Sequence, residues 1–252
     1  MAWRVFAAAA IGKSHIDGGI PCQDAFAQGV VGDTLIAVVC DGAGSQAFSH
    51  LGAQVVSAAV VEGLSQRLAQ GEPLCALDAN AFASLAVDVV ARARAAIEAR
   101  ALAESHELGN YACTLVGAIA DGERGFFFHI GDGQAVMDGR DAAQPALMSL
   151  PENGEYANET YFVTGEAWRE HLRVTPIDRA QRAIVLMSDG AAPFVMMKGN
   201  AGLYRPFMDP VERFLATVSE ADGSRGLAGT LEDPRTYTIT GDDKTLLIAL
   251  WQ

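Results

Sequence analysis

The stretch Val38-Val39-Cys40-Asp41-Gly42-Ala43-Gly44 has the pattern of a buried strand that ends in an acidic turn. The apolar, β-branched run from Leu35 to Cys40 predicts the strand. Asp41 follows at its tip, and Gly42 has no Cβ, so the backbone can turn sharply there. The stretch therefore predicts a carboxylate held rigidly at a strand end.

Other aspartates stand in the same place, at the end of an apolar run or in the turn just beyond one: Asp24, Asp132, Asp189 and Asp242. If these strand ends converge at one edge of a sheet, the carboxylates cannot all stay charged without cations. Hard oxygen ligands of this kind suit Mg²⁺ or Mn²⁺. The sequence therefore predicts a divalent-metal site, and metal-assisted phosphoryl hydrolysis is the leading hypothesis.

An Asp-Gly pair taken alone is more typical of a hairpin turn than of a metal site. We interpret Asp121-Gly122, Asp138-Gly139 and Asp222-Gly223 as such turns. For the aspartates that follow strands, their joint occurrence favours the metal site.

Composition limits the class of protein. The chain has 252 residues, is 50% hydrophobic and has no Pro/Ser/Gly-rich linker, which predicts one domain over residues 1–252. The formal net charge of −13 disfavours binding to nucleic acid. No apolar run approaches the roughly 20 residues that a membrane helix needs, so we expect no membrane contact. We interpret the apolar N-terminus as a first strand and the four cysteines as reduced thiols, which together predict a cytoplasmic protein.

Hydrophobic periodicity predicts many strands and a few helices. The expected strands are residues 2–11, 25–31, 35–40, 112–120, 125–130, 135–137, 160–164, 183–187 and 245–251. The expected helices are residues 46–69, 78–105, 191–197 and 210–219, and the expected loops are 12–21, 139–158 and 221–241. Strands joined as meanders, with two consecutive helices inserted, predict an α+β sandwich of antiparallel sheets covered by helices.

The acidic segments, taken in order, resemble the motifs of the type-2C family of metal-dependent serine/threonine protein phosphatases. They are Gln23-Asp24, Asp41-Gly42-Ala43-Gly44, Gly131-Asp132-Gly133-Gln134, Ser188-Asp189-Gly190 and Asp242-Asp243-Lys244-Thr245. Each is a weak motif alone, but all five occur in the family's order over nearly the whole chain. Residues 154–160 are also similar to a bacterial branch of the family.

The resemblance implies two antiparallel β-sheets packed as a central sandwich, with helices on both sides. It implies two Mg²⁺ or Mn²⁺ ions, with Asp41 bridging them, the Gly42 carbonyl on one, and Asp189 and Asp242 on the other. We expect Asp24 to complete the first metal site and Asp132 to be an outer group or a third-metal ligand. The resemblance further implies that a metal-activated water attacks phosphoserine or phosphothreonine without a covalent intermediate. We expect a phosphorylated protein as substrate, a monomeric enzyme and a role in signalling.

The chain departs from the family at one metal ligand and at the phosphate-binding position. Gln23 replaces the usual glutamate, and Gly19 stands where the family has a phosphate-binding arginine. Lys13 and His15 are the candidate replacements that bind substrate, with His15 also a catalytic candidate beside Asp41 and Asp189. A solvated lysine and a hydrogen-bonded loop histidine are the alternative interpretation for the pair.

Three functions remain open from the sequence. The first is a phosphoprotein phosphatase, and the second is a regulatory or phosphoprotein-binding module that holds metal poorly, as Gln23 suggests. The third is hydrolysis of a small phosphorylated metabolite at the same metal site. His129, which precedes Asp132, is interpreted as a structural histidine rather than a general acid.

Overall fold

A computed structural model of the chain describes residues 1–141, 143–152 and 160–252. The similarity to a bacterial branch at residues 154–160 therefore lies outside the described residues, except for Thr160. Within the described ranges, no helix is both long enough and apolar enough to cross a membrane.

Two five-stranded antiparallel sheets form the centre of the molecule. In spatial order, the first sheet contains β1 (Trp3–Ala10), β10 (Lys244–Trp251), β9 (Gln181–Met187), β6 (Gln134–Gly139) and β7 (Leu147–Ser149). The second sheet contains β2 (Ala25–Val31), β3 (Thr34–Cys40), β4 (Leu115–Ala120), β5 (Gly125–Ile130) and β8 (Arg173–Ile177).

Helices cover the outer face of each sheet. They are α2 (Ser49–Ala69), α3 (Ala79–Glu104), α4 (Ala192–Val195), α5 (Arg205–Leu215) and α6 (Glu220–Leu231), and the short helix α1 (Lys13–Gly18) follows β1. Short 3₁₀ turns lie at Leu74–Ala76, Leu108–Tyr111 and Thr236–Thr238. The long helices α2 and α3 pack on the second sheet, while α4, α5 and α6 cover the first. The structure thus confirms the predicted α+β sandwich with helices on both sides.

The hydrophobic core has three layers that follow from this arrangement. Val39, Phe127 and Leu247 represent the layer between the sheets, where the two inner faces meet. Val60 of α2 and Val90 of α3 are fully buried on the helical side of the second sheet. Each such side chain stabilises the fold by about 1.5–3 kcal/mol relative to an exposed one, so the sheets form a rigid support for their turns.

The segment at residues 221–241 was predicted to be a loop, and that prediction is wrong. It contains most of α6, which Ser219 caps by accepting a hydrogen bond from the Asp222 backbone. The glycines that suggested a loop allow close packing instead. A Cβ on Gly223 would lie 2.4 Å from the Phe6 ring, and one on Gly226 would lie 2.6 Å from the Phe214 ring.

Other predicted elements also need correction. Residues 12–21 include helix α1, and β7 lies inside the predicted loop at 139–158. Residues 160–164, predicted to be a strand, form no strand, and strand β8 lies later in the chain, where none was predicted. Helix α5 begins at Arg205 because Pro206 suits the first turn of a helix.

The three Asp-Gly pairs predicted to be turns have different outcomes. Asp121-Gly122 is the turn between β4 and β5, as predicted. Asp138-Gly139 instead ends β6, and Asp222-Gly223 lies in the first turn of α6. In the last two, tertiary packing overrides the local preference of the dipeptide.

Candidate metal centre

One edge of the sandwich collects the acidic strand ends. The last residues of β3, β5 and β9 lie there, together with the first residues of β2, β4, β6 and β10. Asp41, Asp132 and Asp189 follow β3, β5 and β9, and each offers a carboxylate oxygen within 4.8 Å of the others. Strands far apart in the chain therefore place three carboxylates close enough to share cations.

The backbone at Asp41 is fixed by the neighbouring strand. The Asp41 N–H donates to the Thr114 hydroxyl at 3.0 Å, and the Thr114 N–H donates to the Asp41 carbonyl at 2.8 Å. Both backbone groups are therefore occupied, and the Asp41 side chain is left to face the other carboxylates.

Glycine is required after Asp41 and after Asp189 because the chain passes close to other backbone. A Cβ on Gly42 would lie 2.7 Å from the Gln23 carbonyl oxygen. A Cβ on Gly190 would lie 1.9 Å from the Asp243 carbonyl oxygen. These Asp-Gly pairs are thus packed strand junctions rather than free hairpin turns.

Burial raises the pKa of the clustered carboxyl groups. Asp24 is only 6% exposed, and burial raises its pKa to about 7, with the charges of Asp243 and Asp189 adding to the shift. Burial likewise raises the pKa of Asp189 to about 6, and the charges of Asp132 and Asp242 contribute. The pKa of Asp41 is raised well above its ordinary value by burial and then by Asp24 and Asp189.

Several buried oxygens of these groups have no hydrogen-bond partner among the described residues. They are both carboxylate oxygens of Asp24 and one each of Asp132 and Asp189. A buried carboxylate without a partner is costly unless a cation offsets its charge. The donor set, which consists of oxygen atoms only, fits Mg²⁺ or Mn²⁺ better than a softer metal.

Two cavities open onto this cluster. The first has a volume of about 730 Å³, and Asp41, Gly42, Asp132, Asp189 and Asp242 all line it. The second, of about 540 Å³, shares Asp132 and Asp189 with the first. The structure thus brings together five of the six predicted ligands at one cavity, with Asp24 buried beside them.

Lys13 and His15 lie on α1, and neither lines these cavities. Lys13 forms an ion pair with Asp17 within the same helix. His15 is 9% exposed, and its Nδ1 lies 2.9 Å from Asp243 Oδ2. Lys13 is therefore paired within its own helix, and His15 contacts the residue next to Asp242 without lining either cavity.

Asp243 is an organising residue to which the sequence analysis gave no role. It is 2% exposed, and its Oδ1 accepts a hydrogen bond from the Gly12 N–H at 2.6 Å. Its Oδ2 accepts from the Gln23 N–H at 2.5 Å and contacts His15. Asp243 thereby ties the segment before β2 to the start of β10. The sequence signal that could have indicated this role is the second acidic residue of Asp242-Asp243, because the type-2C phosphatase motif has asparagine at that position.

Gln23 and His129 also have defined structural contacts. Gln23 is buried, and its side-chain amide donates to the Gln46 carbonyl at 3.1 Å. His129 is fully buried, with Nδ1 3.0 Å from the Ser149 hydroxyl. Burial, with a smaller effect from the charge of Arg173, lowers the pKa of His129 to about 3, so it is neutral at physiological pH. The interpretation of His129 as a structural histidine agrees with these contacts.

Comparison with known proteins agrees with this geometry. A family model described as protein phosphatase 2C matches residues 11–232. The chain is 32% identical over 260 residues to Serine/threonine-protein phosphatase 3 of Escherichia coli (strain K12), covering 100% of this chain and 99% of that protein.

Two solved structures are similar in fold. The catalytic domain of serine threonine protein phosphatase PstP, in complex with 2 manganese ions, matches with a TM-score of 0.60 and 18% identity over 98% of this chain and 97% of that one. RsbX in complex with magnesium matches with a TM-score of 0.59 and 11% identity over 99% and 96% of the respective chains. The family model and the relative that is 32% identical over the whole chain show that the chain belongs to the protein phosphatase 2C family.

Proposed function

We propose that this protein hydrolyses phosphoserine and phosphothreonine in proteins with the help of Mg²⁺ or Mn²⁺. The observation that carries the proposal is the set of three carboxylates within 4.8 Å of one another, with buried oxygens that lack partners. The relative named as a serine/threonine-protein phosphatase and the manganese-bound PstP structure support it.

Each carboxylate has a proposed role. Asp41 and the Gly42 carbonyl would hold one ion, and Asp41, Asp189 and Asp242, which line the same cavity, would hold the other. Asp24, whose two buried carboxylate oxygens lack partners among the described residues, would complete the first metal site, and Asp132 would be an outer group or bind a third ion. When bound, divalent ions supply a Lewis acid for the phosphoryl oxygens and lower the pKa of a coordinated water.

The protein's own contribution is to hold these groups in place. Thr114 fixes the backbone of Asp41, and Asp243 fixes the segment that carries Asp24. Because the carboxylates are already oriented and largely removed from water, little reorganisation is needed when substrate binds. We propose that the phosphoryl group passes directly to water, so Asp41 and Asp189 act as ligands and not as nucleophiles.

A binding module without activity is not favoured. That alternative rested on Gln23, which replaces an acidic residue of the family, but Gln23 is hydrogen-bonded to Gln46. Asp41, Asp132, Asp189 and Asp242 are all present at one cavity. We further propose that the enzyme is a cytoplasmic monomer that acts in signalling.

An assay with a phosphopeptide and with p-nitrophenyl phosphate tests the proposal. We expect turnover that requires Mn²⁺ or Mg²⁺ and that falls more than about 100-fold in Asp41→Asn and Asp189→Asn, since each removes a charged ligand. Asp121→Asn is the matched control, because Asp121 also precedes glycine but lies at the opposite end of β4. Undiminished turnover in both ligand variants would overturn the proposed site.

A further inference from the structure

The chain lacks a cation where its family binds phosphate, and the structure does not supply one from α1. Gly19, at the position of the family's arginine, is exposed and ends α1 with φ of 65°. Lys13 and His15 are engaged by Asp17 and Asp243. A positive side chain that assists the divalent ions in holding a phosphate dianion would therefore have to come from elsewhere in the molecule.

Lys198 is the one cationic residue among the described residues that line the two cavities at the carboxylates. It lines the second cavity, together with Asp132 and Asp189. Within the described part of the chain, no carboxylate lies within ion-pair distance of its ammonium group. Its charge is therefore available to a ligand in that cavity.

A short hairpin presents Lys198. Met196 pairs with Leu203, and the Met197 N–H donates to the Gly202 carbonyl at 2.8 Å. The Asn200 N–H donates to the Met197 carbonyl at 3.0 Å, which closes a turn with Lys198 at its second position. Gly199 follows with φ of 73°, the value that a type II turn requires of its third residue. The backbone of Lys198 is thus fixed, whereas its side chain makes no hydrogen bond to the residues that the structure describes.

The same hairpin is joined directly to a candidate metal ligand. Helix α4 begins three residues after Asp189, and the Ala192 N–H donates to the Asp189 carbonyl at 3.2 Å. The Tyr204 N–H then donates to the Val195 carbonyl at 2.8 Å, so the hairpin is anchored to α4. Asp189 and Lys198 therefore belong to one compact unit with little freedom to move apart.

We propose that Lys198 binds the phosphoryl group of the substrate and replaces the missing arginine. This inference rests on the proposed function. The ammonium group acts as a point charge toward the phosphoryl oxygens, a role that lysine has in many phosphate sites. Pro151, Pro193 and Met197 form an apolar wall of the same cavity, which suits the carbon chain of a neighbouring substrate residue.

Steady-state kinetics of Lys198→Ala and Lys198→Arg test the inference. We expect Lys198→Ala to raise KM for the phosphopeptide and for p-nitrophenyl phosphate about tenfold, the loss of one charge-assisted contact. The inhibition constant for inorganic phosphate should rise by a similar factor, and Lys198→Arg should restore most of the affinity. Arg213→Ala, which removes an exposed positive charge from α5, is the control and should change neither constant more than about twofold.

Two results would overturn the role of Lys198. One is an unchanged KM for both substrates in Lys198→Ala. The other is a KM that rises for the phosphopeptide alone, because Lys198 would then contact the peptide and not the phosphate.

Calorimetric titration of the Mg²⁺-loaded protein with inorganic phosphate separates this inference from the proposed function. If the wild type binds phosphate but shows no metal-dependent turnover, the proposed function fails while Lys198 is still tested by the binding constant. Equal phosphate affinity of the wild type and Lys198→Ala in that titration would contradict the inference, and weaker binding by the variant would support it.

Discussion

An Asp-Gly turn lies at each end of β4, but the two aspartate side chains have different surroundings. At one end, Asp121 precedes Gly122, and its Oδ1 accepts hydrogen bonds from the Glu123 N–H at 2.9 Å and the Arg124 N–H at 2.7 Å. At the other end, Asp41 precedes Gly42, and its carboxylate faces Asp132 and Asp189. The first carboxylate is satisfied by its own turn, and the second is surrounded by like charge.

This difference shows that the surroundings of the carboxylate, and not the Asp-Gly dipeptide, distinguish a turn from a metal site. Asp138 is a third case, because it is buried but hydrogen-bonded to Arg182 at 2.6 Å and Arg205 at 2.5 Å. Only at the Asp41 end does burial leave several acidic groups without cationic partners among the described residues. Such an arrangement is destabilising unless protons or bound cations offset the charge.

The largest expected effect is on catalysis. Asp41→Asn should lower kcat/KM more than about 100-fold, whereas Asp121→Asn should leave it within about twofold, because only Asp41 faces the site. Metal content measured on the purified variants should fall for Asp41→Asn alone. Equal losses in the two variants would mean that the ends of β4 do not differ in the way described.

A second large effect concerns Asp243, which supports the same end of the sandwich. Asp243→Ala leaves the buried Gly12 and Gln23 N–H groups without an acceptor, so we expect the free energy of unfolding to fall by about 3 kcal/mol. Urea denaturation in saturating Mn²⁺ measures this change, with Asp243→Asn as the control that keeps one acceptor oxygen. A loss below about 1 kcal/mol would show that Asp243 does not organise the segment before β2.

The pH dependence of stability gives a third test. The folded-state pKa values of Asp24 and Asp189, about 7 and about 6, lie above that of an unfolded aspartate. These groups therefore contribute stability that is present below about pH 4 and is lost as the pH rises through 6 to 7. Without metal, the melting temperature should be lower at pH 8 than at pH 5.5.

Bound metal should reverse this pH dependence of the melting temperature, because the ions replace the protons on the carboxyl groups. At 100 times its dissociation constant, Mn²⁺ adds about 2.7 kcal/mol of stability, or about 5–10 °C in melting temperature for a chain of this size. At one fixed Mn²⁺ concentration, the gain should be larger at pH 8 than at pH 5.5, since metal binding must displace protons at the lower pH and its dissociation constant is therefore higher there. A metal-induced shift that is the same at both values would contradict the raised carboxyl pKa values.

The smallest expected effect is on stability, at the end of β4 where the Asp121 carboxylate is hydrogen-bonded by its own turn. Asp121→Ala removes two hydrogen bonds of an exposed turn, so we expect a loss of about 1 kcal/mol and unchanged turnover. Thermal unfolding at one fixed Mn²⁺ concentration measures it. A loss of metal affinity in this variant would show that the two ends are coupled.

Much of the fold follows from local pattern in the sequence. Helices α2 and α3 were predicted within three residues because their apolar residues recur at helical spacing. Helix α6 was missed because its glycines resemble loop residues, and their role depends on Phe6 and Phe214, which pack against them. A contact of this kind is set by tertiary packing and has no local signal.

At the site, too, some features follow from local sequence pattern and others from tertiary contacts. The aspartates at strand ends were identifiable from their position after apolar runs, and the structure places Asp41, Asp132, Asp189 and Asp242 around one cavity. The contacts of His15 and Asp243 were not identifiable, because each residue is the other's partner across 228 positions of the chain. Lys198 had no sequence signal either, since its importance comes from a cavity that distant segments form.

A crystal structure grown in Mn²⁺, with anomalous diffraction at the manganese edge, would show whether the acidic strand ends bind metal. We expect at least two manganese peaks bound by Asp41, Asp189 and Asp242, and none at Asp121. A map at saturating Mn²⁺ without a peak between Asp41 and Asp189 would contradict this expectation.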